Sequence, residues 1–208
     1  ILENSGYTPE DIAQRLLLWY EAKPKDIGGT TMLSLSILAE GVSWRESGRL
    51  AIGLGAGPTN GSLMRTAPVG LYFRNAPDLI DKVAEEISSI THADEDCILA
   101  CQAASQLVAL LASGKSKERA MRIILGQYGP SSKIGIELRN ARSGYVRPTR
   151  FGHVFDTLGT ALYSFLQART FEEAVVKSVN AGWDTDTQAT VTVAFAGAHW
   201  GVKNIPAR

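Results

Sequence analysis

Only two cysteines, Cys97 and Cys101, occur in the 208 residues. Their i, i+4 spacing puts them on one face of a helix and fits neither a disulfide framework nor a zinc-ligand pattern. They read as buried thiols in a reducing, cytoplasmic setting. Net charge is lacking too: Lys+Arg and Asp+Glu are equal at 21 each. That balance argues against general nucleic-acid binding, which shows a basic surplus. No uninterrupted apolar run reaches the length of a membrane span and no signal-peptide pattern stands at the start, so no membrane partner is expected. No stretch alternates with period two over a useful length, which removes the usual sign of a sheet. The glycines at 53–57 have no strand before them and no Gly-Lys-Ser/Thr after them, so they are not a nucleotide fingerprint. There is no repeat and no linker long enough to divide the chain.

What is present is helical. Thr8 is placed as an N-cap with Pro9 in the first position and Asp11 as the far half of a capping box. Ile12, Leu16, Trp19 and Tyr20 follow at helical spacing. Thr30 or Thr31 is expected to cap a second helix ending near Gly41, and residues 53–62 to form a glycine-rich loop followed by a turn at Pro68. Further helices are expected from Pro77 through Ile87, from the acidic start 94–96 past Cys101 to Leu111, and over about 116–126. Residues 127–149 read as irregular, with a short helix around Glu137. Val154, Leu158, Leu162 and Phe165 mark another helix, Thr170 caps one from Phe171 to Asn180, and a small-residue helix runs from Gln188 to Trp200. The sum is one all-α domain over residues 1–208.

Chemistry concentrates at residues 182–188, Gly-Trp-Asp-Thr-Asp-Thr-Gln. Asp184 and Asp186 alternate with Thr185 and Thr187. Carboxylates and hydroxyls are hard oxygen donors that suit Mg²⁺, Ca²⁺ or Mn²⁺. A plain helix cap would use the same residue types, and the segment alone leaves the two readings level. A lone His92 before a helix is more often a cap or a surface residue, and His199 on an apolar helix reads as structural. Arg65 would pair with a phosphate or, more commonly, with an internal carboxylate.

Taken in order, the polar loops resemble the ADP-ribosylglycohydrolase family. Asp26-Ile27-Gly28-Gly29-Thr30-Thr31 is similar to its Asp-x-Gly-x-Thr-Thr segment. Asn60-Gly61-Ser62-Leu63-Met64-Arg65, with Ala67-Pro68, resembles its Asn-Gly-Ser/Ala-x-Met-Arg motif. Thr91-His92 followed by Ala100-Cys101 looks like its Thr-His loop and helix. Gly152-His153-Val154-Phe155-Asp156-Thr157-Leu158 resembles its Gly-Tyr-Val-x-Asp-Thr-Leu segment, and Val179-Asn180 through Thr187 its metal motif. The resemblance implies an all-α orthogonal bundle with two Mg²⁺ or Mn²⁺ ions in a central cleft. It implies hydrolysis of the bond between ADP-ribose and a protein side chain of the arginine or serine type. Asp184, Asp186 and Thr187 fall on metal ligands, and Asp184 and Asp26 on the carboxylates nearest the chemistry. Asn60, Gly61, Ser62, Leu63, Met64, His92 and His153 fall on substrate contacts. The partner implied is an ADP-ribosylated protein or an ADP-ribose-containing small molecule, met by a monomer.

Some positions depart from the pattern. The family's first acidic motif, Thr-Asp-Asp-Thr, normally precedes the helix that begins here at Thr8, and this chain does not contain it. The expectation is a longer natural protein shortened at its N-terminal side. The alternative is an inactive ADP-ribose-binding or crystallin-like structural member of the same fold. Thr59 replaces a glycine before the Asn-Gly pair, Trp183 replaces the second glycine of the metal motif, and His153 stands where Tyr is common.

Overall fold

The computed structural model describes residues 6–144 and 150–207, so 145–149 of the stretch read as irregular lie outside the described residues. The described residues form eleven α-helices: α1 (Pro9–Glu21), α2 (Gly29–Ala39), α3 (Trp44–Gly53), α4 (Leu63–Tyr72), α5 (Ile80–Ser89), α6 (Glu95–Ala112), α7 (Lys117–Gln127), α8 (Lys133–Ser143), α9 (Val154–Gln167), α10 (Phe171–Val179) and α11 (Thr185–Trp200). Short 3-10 turns occupy Pro77–Leu79 and Val202–Asn204. The fold is all-α, as the missing period-two pattern implies.

Helix α6 is the axis of the bundle. Cys97, Ala100, Cys101, Ala104, Leu107, Val108 and Leu111 are buried along it, and α4, α5, α7, α8, α9 and α11 pack around it. By length and composition alone it could span a bilayer, but most of it is enclosed by these neighbours, as a core helix is. Close approach depends on two glycines. A Cβ on Gly70 of α4 would stand 2.1 Å from the Ser105 carbonyl oxygen of α6, and one on Gly48 of α3 2.3 Å from the Ser89 carbonyl oxygen. Neither clash can be relieved without moving backbone.

Several local expectations are corrected. Thr8 occupies the cap position with Pro9 next, but its side chain makes no cap bond, and Asp11 pairs with Arg15 at 3.0 Å instead. The cap of α2 is Gly28; Thr30 and Thr31 lie inside its first turn, and the Thr30 hydroxyl reaches the Gly57 carbonyl at 3.4 Å. Pro68 sits inside α4 rather than in a turn. It gives up one helical hydrogen bond, and burial of Leu63, Thr66, Val69 and Gly70 holds the helix regardless. Helix α3 is an addition to the expected elements: its buried stripe sets Ser47 and Gly48 between Trp44 and Ala51, which breaks the apolar pattern. Helix α8 extends well beyond Glu137, and α11 begins at Thr185, within the acidic segment.

Candidate active site

The acidic segment is a turn with an unusual backbone. Gly182 at φ 79° and Trp183 at φ 65° are consecutive left-handed residues, and Trp183 is not a glycine. They deliver Asp184 to the N-cap position of α11, but its side chain does not cap the helix. It accepts instead from Asn60 Nδ2 at 2.7 Å. The same amide nitrogen donates to Thr157 Oγ1 at 2.8 Å. Asn60 is itself buried.

Two loops are joined to make this possible. Asn60 N donates to the Gly152 carbonyl at 2.9 Å and Val154 N to the Pro58 carbonyl at 3.0 Å, with an isolated antiparallel bridge between Thr59 and His153. Gly152, at φ 67°, lies against the Asp184 carboxylate, so chain reversal there needs glycine. Asn60, the Gly152–Thr157 segment and Asp184 thus meet from three separate stretches of sequence.

Oxygen donors gather on the first turn of α11. Asp186 is exposed and Thr187 buried. The Asp186 carboxyl is held below its ordinary range, first by its hydrogen bond with Asp184 and then by the Thr187 N–H. Gln188 is 2 % exposed, and its Oε1 has no hydrogen-bond partner among the described residues. A buried carbonyl oxygen without a donor, one turn beyond Asp184, suits a hard cation in kind. In number the set is short. Among the described residues, no three His, Cys, Asp or Glu side chains converge as a metal cage would require. The donors fit part of one coordination shell.

The second half of the site is built around His92, which is neither a cap nor a surface residue. It is 1 % exposed. Its Nδ1 lies 2.7 Å from Thr91 Oγ1 and its Nε2 2.9 Å from Thr59 Oγ1. Burial, then the nearby Arg65, pushes its pKa down to about 3, so the ring is neutral at physiological pH. Among the described residues Arg65 pairs with no carboxylate: Nη1 donates to the Gly61 carbonyl at 2.9 Å, and Nη2 to Thr91 Oγ1 at 2.7 Å and the Ile87 carbonyl at 3.2 Å. Burial pushes the guanidinium down to about 10, which leaves it charged at neutral pH. Gly61 lies against the His92 ring; a Cβ there would be 2.9 Å from Cε1.

The remaining sequence candidates separate. Ser62 is buried and accepts from Cys101 Sγ at 3.4 Å, Leu63 is in the core, and Met64 is exposed. Both cysteines are free, buried and turned toward this loop, Cys97 Sγ donating to the Thr59 carbonyl at 3.3 Å. His153 caps α9 and lies 2.7 Å from Arg150 Nη1 through Nε2. Arg150 also donates to Asp156 from its backbone N and Nη2, each at 2.8 Å. Asp26 is exposed on the segment before α2, and among the described residues no hydrogen bond or ion pair ties it to Asp184. His199 packs edge-to-face with Phe165 and Trp200, as expected of a structural residue. Sequence reasoning missed Thr59, Thr91 and Thr157 as members of the site. Thr91 stood beside a singled-out histidine, but threonine is too common for adjacency to mark it.

This all-helical body thus sets the acidic turn at Asp184 and the buried His92 on the same loop, through Asn60 and Thr59. The ADP-ribosylglycohydrolase family model matches residues 1–208, and the chain belongs to that family. An ADP-ribosylarginine hydrolase of Serratia proteamaculans is 27% identical over 210 residues, covering 93% of this chain and 54% of its own length. The ADP-ribosyl-[dinitrogen reductase] glycohydrolase of Rhodospirillum rubrum is 24% identical over 204 residues, covering 94% of this chain and 63% of its own. Among solved structures, an ADP-ribosylglycohydrolase-related protein complex superposes with a TM-score of 0.79 at 30% identity, over 98% of this chain and 68% of that one. The chain spans between about half and two thirds of the length of the curated relatives it matches.

Proposed function

We propose that the protein hydrolyses the glycosidic bond between ADP-ribose and a protein side chain, using Mg²⁺ or Mn²⁺ held partly by Asp184, Asp186 and Thr187. The supporting observation is the Asn60–Asp184 hydrogen bond at 2.7 Å, which takes the carboxylate away from helix capping. Relatives named for ADP-ribosylarginine and ADP-ribosyl-[dinitrogen reductase] cleavage support the substrate class. Two ions are the expected complement. A bound divalent cation supplies positive charge that fixes ribose hydroxyls and stabilises developing negative charge.

The chain's own residues have separable roles in this reading. Asn60 and Gly152 orient Asp184. The Asp184 carboxylate assists proton movement at the reacting centre, and exposed Asp26 serves the acceptor side. Water breaks the bond: its oxygen joins the ribose anomeric carbon, and one of its protons goes to the departing side-chain nitrogen or oxygen. Both products stay at their original oxidation level.

Hydrolysis of ADP-ribosyl-arginine and ADP-ribosyl-serine peptides, measured with Mg²⁺ and with chelator, tests the proposal. Turnover that needs the cation and disappears in Asp186→Ala supports it; Asp186→Ala turning over at the wild-type rate refutes the metal assignment. A second reading, binding of ADP-ribose without turnover, is favoured by the short ligand set among the described residues. ADP-ribose bound tightly by a protein that cleaves neither peptide selects it.

A further inference from the structure

We infer that His153 is a positioning residue: its protonation releases the Arg150–Gly152 corner from the loop that carries Asn60, so the Asn60–Asp184 pair loosens in mild acid. Both ring nitrogens of His153 face donors. Phe155 N points at Nδ1 from 3.2 Å, and Arg150 Nη1 at Nε2 from 2.7 Å. A neutral imidazole has one nitrogen that accepts and one that carries a proton, so it serves these donors one at a time. An imidazolium accepts from neither. It also competes for Asp156: Oδ1 lies 4.0 Å from Nδ1 and already accepts from Arg150 Nη2 at 2.8 Å. His153 is 9 % exposed, so water does not readily replace a lost partner.

The same corner holds the candidate site. Gly152 lies between Arg150 and His153 in sequence, and against the Asp184 carboxylate in space. Its carbonyl accepts from Asn60 N at 2.9 Å, and Val154 N donates to the Pro58 carbonyl at 3.0 Å. Protonating His153 releases Arg150 at one end of the corner and the Phe155 cap bond at the other. The two bridge bonds between them lose support together. Asp94 and Asp96 at the start of α6, Lys133 paired with Asp96 at 3.2 Å, and Glu137 of α8 complete the charged surroundings. Burial, then Arg150, holds the ring below its ordinary pKa of 6.5, against the pull of Asp156. The latch is therefore closed at neutral pH and opens as pH falls through that lowered value.

Nitrogen-15 NMR of the ring and amide exchange of the full chain test this with no ligand present, so the outcome leaves the proposed function untouched. Protection factors of the Asn60 and Val154 amides are expected to fall about tenfold as the ring titrates, while that of Leu107 in α6 holds steady. In His153→Gln, which keeps an acceptor oxygen and takes up no proton, all three should stay level over the same range. Arg150→Gln should raise the ring's pKa, because the repelling cation is gone. Bridge amides that keep their protection through the ring's titration overturn the inference. So does a ring pKa that Arg150→Gln leaves unmoved. Should His153→Gln not fold, the wild-type titration and Arg150→Gln decide between these outcomes.

Discussion

Asn60 and Asp184, 124 residues apart in sequence, are joined by a 2.7 Å hydrogen bond in which the amide donates to the carboxylate. The same amide nitrogen also donates to Thr157. Removing it leaves two oxygens in a largely buried place without a donor. Asn60→Ala is therefore expected to lower stability by about 1–3 kcal/mol in urea denaturation. Asn60→Asp sets a second carboxylate against the first and should be worse than Ala, with Mg²⁺ recovering part of the loss. Asn60→Asp as stable as wild type in chelator would contradict this account of the site.

His92 makes stability depend on pH. Its folded pKa is pushed down to about 3 from 6.5, so between those values the unfolded chain binds a proton that the folded protein refuses. The contribution is fully present above pH 6.5 and is lost progressively as pH falls toward 3. Urea midpoints should decline from pH 7 to pH 4. His92→Gln, which cannot take up that proton, should show a shallower decline over the same range. Parallel curves would remove His92 as the cause.

Glycine substitutions should act in opposite directions according to packing. Gly70→Ala forces a methyl to 2.1 Å from the Ser105 carbonyl oxygen and is expected to destabilise by about 1–3 kcal/mol. Gly126 lies in the last turns of α7 with nothing within 4 Å of the added carbon. Gly126→Ala should stabilise by about 0.5 kcal/mol through helix propensity. Thermal midpoints that move in the same direction for both would contradict the packing of α4 on α6.

Trp183 holds φ 65°, a region that disfavours side chains with a Cβ, and is 51 % exposed. Relief of that strain outweighs the added freedom of glycine in the unfolded chain by a small margin. Trp183→Gly should gain about 0.5 kcal/mol, whereas Trp183→Ala, which keeps the strain, should gain nothing. Equal stability of the Gly and Ala variants would show that the backbone is not strained.

Much of this was legible in the residues. Apolar stripes such as Val154, Leu158, Leu162 and Phe165 announce helices whatever the topology, and the ordered polar motifs placed Asn60, His92 and Asp184 on one page. Local capping was less legible. Thr8 and Thr30 have the right chemistry for caps, but the first makes no cap bond and the second turns to Gly57. Helix α3 was invisible because a stripe that packs Ser47 and Gly48 against another backbone needs no apolar side chains there. The enclosure of His92 between Thr59 and Thr91 could not be read at all, because burial is settled by the whole fold.

The bridge between Thr59 and His153 also bears on the order of assembly. Neighbouring helices such as α5 and α6 can find each other across a short connection. The bridge, and the bond from Asn60 to Asp184, require closing loops of 94 and 124 residues, which is slow because loop entropy must be overcome before any contact rewards it. The site is therefore among the last features to form. A ligand that recognises it meets only chains that have finished folding.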